Sequence, residues 1–192
     1  MNDFVAIQQD LKWILSNYTR SSNIDEVNRF IVKDNNIGIR LPHIKRRNYR
    51  DSIDDLLKTK NYYIVFNDIS LLHLEYEFDK ENNICYSCLS YLPFIDNELH
   101  ENEQFSKYIR IDYAPNDHKE IIHTKCHLHI GIDKNSFRIP VQTIIYPKEF
   151  IYFILKYIYH EDSEFIRLLT LNNEKEILLT DKEINKLRLM IG

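Results

Sequence analysis

The sequence predicts an α+β domain: a central antiparallel sheet of about five or six strands with the N-terminal and C-terminal helices packed on one face. Three observations predict it. Apolar residues recur at spacings of three and four through the first third of the chain, the period becomes two from Tyr62, and the helical period returns after Pro147. A single domain over 1–192 follows, helical over 1–58, sheet over 62–141 and helical again over 147–192.

Asn2 or Asp3 caps a first helix whose residues Phe4, Ile7, Leu11, Ile14 and Leu15 form one buried stripe. Ser22 or Asn23 is expected to cap a second, with Ile24, Val27, Phe30 and Ile31 inward. Asn35 to Gly38 is turn chemistry, a short extended Ile37 to Leu41 leads to Pro42, and a third, short helix is expected around Ser52 to Lys58. Leu72, Leu74, Tyr76 and Phe78 then alternate with His73, Glu75 and Glu77, as in a half-buried strand. Asp79 to Asn83 turns the chain into a returning strand from Ile84 to Leu92. Pro93 to Gln104 reads as a polar loop, and Lys107 to Tyr113, Lys125 to Ile132 and Phe137 to Val141 give three further strands. Pro147 suits the first position of a helix that buries Phe150, Ile151, Ile154, Leu155 and Ile158. Two more helices are expected, around Ser163 to Leu171 and from Thr180, where Thr180 and Glu183 spell a capping box.

Composition removes several functions. Among 192 residues, 25 Lys and Arg face 29 Asp and Glu, a net charge of −4, which does not suit a nucleic-acid coat or a histone-like protein. Of the 3 glycines one is Gly192, so the clustered glycines of Rossmann and P-loop phosphate sites are excluded. The acidic start lacks the basic and apolar regions of a secretory signal, so a cytoplasmic protein is expected. The most apolar segment, Ile144 to Tyr159, is broken by Pro147, Lys148, Glu149 and Lys156 and falls short of the roughly 20 residues of a membrane span. Its helix is nonetheless apolar on nearly every side, Phe153 and Tyr157 included, so a homodimer or partner contact is expected through 147–160. An odd set of 3 cysteines points to reduced thiols. Cys85 and Cys88 form CxxC, but positions three apart on a strand face opposite ways, which argues against a zinc site shared with the histidines. No GxSxG is present.

Chemistry is expected on the polar side of the sheet. Alternation places His73, Glu75 and Glu77 on one face of one strand, Arg110 and Asp112 on a second, and His127 and His129 on a third, with Arg138 pointing the same way. A wet sheet face is ordinarily Thr, Lys, Glu and Ser; paired histidines beside Arg and Asp are a richer set. His43 to Arg50 is the single basic cluster, and Lys45, Arg46, Arg47 and Arg50 around an aromatic are candidates for binding phosphates.

The same residues carry a family resemblance. Tyr108-Ile109-Arg110-Ile111-Asp112-Tyr113, His127-Leu128-His129-Ile130-Gly131, Arg138-Ile139-Pro140 and Pro147-Lys148-Glu149-Phe150 resemble the ordered motifs YxRxDY, HxHxG, RIP and PxEF of a family of uncharacterised bacterial proteins. The resemblance is tight over about Tyr108 to Tyr159 and implies one bacterial domain type. A looser similarity, a strand motif followed by a histidine cluster, links the chain to small toxins of bacterial toxin–antitoxin pairs.

Three function classes compete. In the first, favoured on sequence, a cofactor-free nuclease of a toxin or phage-defence module acts on RNA. One of His127 and His129 takes the 2′-hydroxyl proton, the other protonates the leaving oxygen, and Arg110 and Arg138 with Asp112 complete the site. In the second, His127, His129 and Asp112, with Glu75 or His73, bind one divalent transition metal of a hydrolase. In the third, the polar face and the 147–160 helix make a non-catalytic subunit that binds a partner protein.

Overall fold

The computed structural model describes residues 1–38, 40–41, 44–45, 48–95, 107–120, 123–132, 138–169 and 178–184. The domain is α+β, built on a nine-stranded antiparallel sheet with helices at both ends of the chain. Helix α1 spans Asp3–Asn17, followed by strands β1 (Ile24–Val27), β2 (Val32–Lys33) and β3 (Asn36–Gly38). Helix α2 (Tyr49–Thr59) precedes β4 (Ile64–Phe66), β5 (Leu71–Phe78), β6 (Ile84–Leu92), β7 (Ile109–Tyr113), β8 (Cys126–Ile130) and β9 (Arg138–Pro140). Helix α3 (Pro147–Phe153) runs into a π-helical turn, Ile154–Ile158, and α4 (Glu164–Leu168) follows. The strands lie in the order β1-β4-β5-β6-β7-β8-β9, while β3 shares the β4 edge of β5 and pairs in turn with β2.

Each boundary has a local cause. The Asn2 side chain accepts a hydrogen bond from the Val5 amide at 3.0 Å and caps α1. In the β5–β6 turn Asp79 Oδ1 accepts from the amides of Glu81 and Asn83 at 2.8 and 2.9 Å, and Asn82 takes the left-handed conformation. Glu149 accepts from the Tyr146 amide at 2.8 Å at the start of α3, and Ser163 caps α4. The Thr180–Glu183 box forms as the sequence spells it, each side chain accepting from the other residue's amide at 3.3 and 2.9 Å.

The strand count exceeds expectation because the helix expected over Ser22 to Ile31 is not one. That segment is β1 and the approach to β2. Asp25 is a β-bulge: Ile24 pairs with Phe66 and Glu26 with Val65, so one extra residue intervenes and both Ile24 and Val27 turn inward. Two buried residues three apart imitate a helical turn, and the bulge is what produces the imitation.

Leu72, Leu74, Tyr76 and Phe78 of β5, Leu89 and Tyr91 of β6, and Ile109 and Ile111 of β7 face Ile7, Leu11 and Ile14 of α1 and Phe150, Ile151, Ile154 and Leu155 beyond Pro147. Tyr157 projects from this last segment and is exposed, whereas Phe153 packs partly against the core. Helix α2 takes the other face, where Tyr49, Ile53 and Leu56 meet Val65, Leu71, Leu92 and Tyr108. Polar side chains beyond the reach of α2 are thereby left around a cleft. No helix among the described residues is long and apolar enough to cross a membrane.

The β3–β5 contact depends on one glycine. Gly38 has φ +95° and pairs with Glu75, and a Cβ at this position would lie 2.0 Å from the Leu74 carbonyl oxygen. Gly38→Ala is expected to lower the unfolding free energy by more than about 1 kcal/mol, read as a lower urea midpoint with an unchanged slope.

Candidate functional site

Register brings the polar residues together in two rows across the sheet. One row runs His73, Ser90, Arg110, His129, Arg138, and the next runs Glu75, Cys88, Asp112, His127, Pro140. Side chains directly opposite on adjacent strands are near neighbours, so Asp112 meets His127 across β7 and β8 and reaches His129 diagonally.

The carboxylate of Asp112 is the hub. Its Oδ2 lies 2.8 Å from Arg110 Nη2, 3.4 Å from His129 Nε2 and 3.8 Å from His127 Nε2. Arg110 Nη2 is also 3.3 Å from His129 Nε2. The His127 ring stacks edge-on against His123 at 4.5 Å between centroids and against His129 at 4.8 Å. His127 Nδ1 lies 3.1 Å from the Thr124 carbonyl, which can only accept, so Nδ1 carries the proton. Nε2 then presents its lone pair to Asp112.

The electrostatics keep this imidazole neutral. Burial, then the nearby His129, pull the His127 pKa down from 6.5 to about 4 against the opposing pull of Asp112, so this imidazole is neutral at pH 7. Burial pushes Asp112 upward, but the His129 hydrogen bond and the Arg110 charge outweigh it and hold the carboxyl below its usual range. Burial likewise works against the Arg110 charge and is outweighed by Asp112. Glu75 is pushed up, first by burial and then by Glu77, with Arg40 pulling the other way. Burial and the Arg138 charge lower His123.

These groups line a cleft of about 490 Å³. Of the residues named from sequence, Arg110, Asp112, His127, His129, Arg138 and Glu75 all border it. His73 does not: it is buried at the far end of its row and borders a smaller pocket with Gly38 and Tyr63. Arg50 lies at the start of α2 beside a separate groove formed with Phe94 and Ile95, and Lys45 is exposed. Arg46 and Arg47 lie outside the described residues. Sequence reasoning did not single out Arg40, Tyr86 or His123, which also border the cleft. His123 shares the odd-numbered parity of His127 and His129, a signal that could have found it; Arg40 carries no such signal. The one group of ligand-type side chains among the described residues is Asp112, His127 and His129, whose donor atoms lie within 4.8 Å of one another, and Cys85 and Cys88 are not part of it.

Residues 14–191 match the family described as an uncharacterized conserved protein, DUF2290. The chain belongs to the DUF2290 family. No curated protein and no solved structure matches it. The histidine cleft of this DUF2290 member therefore has to be interpreted from its own chemistry.

A direct check of that chemistry is the titration of His127. Its ring resonances are expected to titrate near 4 rather than 6.5. Between those values the unfolded chain binds a proton that the folded chain refuses, so stability present above pH 6.5 is lost as the pH falls towards 4. Denaturant midpoints measured across that window should fall more steeply for the native protein than for His127→Gln.

Proposed function

We propose that this protein is a metal-dependent hydrolase of phosphodiesters, a nuclease acting on RNA, with Asp112, His127 and His129 as the ligands of one divalent transition metal. The observation that carries the reading is the convergence of three lone-pair atoms within 4.8 Å, two imidazole nitrogens and a carboxylate oxygen. The anchoring of His127 supports it further, because a ligating imidazole ordinarily gives its other N–H to a carbonyl or carboxylate, as His127 Nδ1 does to Thr124. Mixed nitrogen and oxygen donors suit zinc, manganese or iron, and such an ion would polarise a phosphoryl oxygen and acidify a bound water. Arg40 and Arg138 border the same cleft and supply guanidinium donors for a phosphate. The resemblance of the Tyr108 to Tyr159 motifs supports a bacterial setting, and the looser likeness of a strand motif followed by a histidine cluster to small toxins supports a toxin–antitoxin or phage-defence module.

One observation favours a second reading. Arg110 already contacts both Asp112 and His129, so a metal-free site can also work, with neutral His127 as general base and a positioned His129 as acid. Both readings predict that purified protein cleaves an RNA oligonucleotide. Asp112→Asn, His127→Ala or His129→Ala should each reduce cleavage by about 10² or more in protein that circular dichroism shows to be folded. Under the metal reading a chelator abolishes cleavage and Mn²⁺ or Zn²⁺ restores it; cleavage that survives chelation moves the assignment to the metal-free site. Protein that leaves RNA intact with every metal tested ends the nuclease reading.

A further inference from the structure

We infer that Arg110 is a built-in cation that holds the metal position, leaves it when metal binds, and then serves as an anion-binding arm in the cleft. The inference rests on the metal reading and concerns a residue that reading does not use as a ligand.

Arg110 Nη2 is 2.8 Å from Asp112 Oδ2 and 3.3 Å from His129 Nε2, which are two of the three atoms assigned to the metal. A guanidinium has donors and no acceptor, so it takes the Asp112 lone pair that a metal would need and stands against the His129 nitrogen that a metal would bind. A transition metal stands at about 2.0 to 2.2 Å from such atoms, and its charge repels a guanidinium held against the same oxygen. The two cations therefore compete for one place. Without either, Asp112 would be a half-buried carboxylate beside two imidazoles, one of them neutral with its lone pair turned towards it. The arginine removes that cost in the metal-free protein.

The grip of Arg110 is one that can be released. It holds Asp112 through Nη2, while its Nε is buried and has no hydrogen-bond partner among the described residues, so the fork is not clamped at both ends. Its side chain is also 34% exposed, unlike that of His127 at 3%, and this exposure faces the cleft. Arg138 lies one strand beyond His129 in the same row, and Arg40 borders the same space. An Arg110 displaced from Asp112 joins these two around any anion in the cleft. An anion that holds Arg110 outward thereby favours metal at Asp112, and metal favours the anion, so the two ligands bind with positive coupling.

The test uses Co²⁺, whose visible bands report coordination, and dimethyl phosphate as a soluble phosphodiester anion. Arg110→Gln keeps a donor for Asp112 and removes the charge. It is expected to bind Co²⁺ at least tenfold more tightly than the native protein, an effect of about 1.4 kcal/mol. Dimethyl phosphate should tighten Co²⁺ binding in the native protein and not in the variant. Arg110→Met, which keeps the stem without the donor, should behave in the same way and serves if the Gln variant is poorly folded by circular dichroism. Native protein that binds Co²⁺ at a site lost in His127→Ala, but with an affinity that neither Arg110 variant raises, overturns the role of Arg110 and leaves the metal reading standing. A lack of Co²⁺ binding by native protein and by folded Arg110 variants overturns both.

Discussion

Everything in this fold depends on one parity. Each residue of β5 to β8 must face either the helices α1 and α3 or the opposite side, which α2 shares with the cleft, and the registers of four strands are coupled through continuous pairing. A slip of one residue in β8 alone would drive His127 and His129 among Ile109, Ile111 and the aliphatic residues of α3, and would turn Cys126 and Leu128 towards Asp112. The apolar set fixes the register because its burial is the larger energy, and the polar rows are aligned as a result. The site is thus placed by packing on the face opposite to it.

Two carboxylates, one buried and one half-buried at the cleft, show how each face accommodates charge. Under α1, Asp10 meets Lys148 at 3.4 Å, and that ammonium also lies over the Trp13 ring, 4.8 Å from its centroid. Burial nevertheless dominates there and raises the Asp10 pKa, with Lys148 pulling against it. Asp112 on the opposite face has the contrary balance, lowered despite its burial. The first is a partly uncompensated charge joining α1 to α3; the second is a hub with several partners, as befits chemistry. Asp3 does comparable structural work at the other end of α1, accepting from the Tyr146 hydroxyl and from the Ile84 amide.

Much of this was legible from the chain. The alternation in β5, β7 and β8 located the polar face and named Arg110, Asp112, His127, His129 and Arg138, because period two is a strong signal when the opposite face is uniformly aliphatic. The Asp79 to Asn83 turn and the Thr180–Glu183 box were equally readable, since both are local hydrogen-bond chemistry. The illegible parts are those decided by distant partners. Strands of two to four residues such as β1 to β4 are too short to show a period, and the bulge at Asp25 gave β1 a helical one. The arrival of Arg40 at the cleft, and the retreat of His73 to a different pocket, depend on how β3 lies along β5. The position of Arg110 within the histidine cluster also lay beyond parity, which tells which side a residue faces and not what it touches.

Among the described residues the sheet ends beside the cleft in a border poorly suited to a further strand. Strand β9 contributes only Arg138–Pro140, and it is the terminal member of the sheet order. Its last residue lacks an amide hydrogen, so a strand arriving from another molecule would find an interrupted ladder. A longer, flatter border at this position would template intermolecular pairing immediately next to His127 and His129, and a neighbouring chain would sit across their approach. A border that ends in proline disfavours strand addition beside the histidines and so helps to keep the approach to them free.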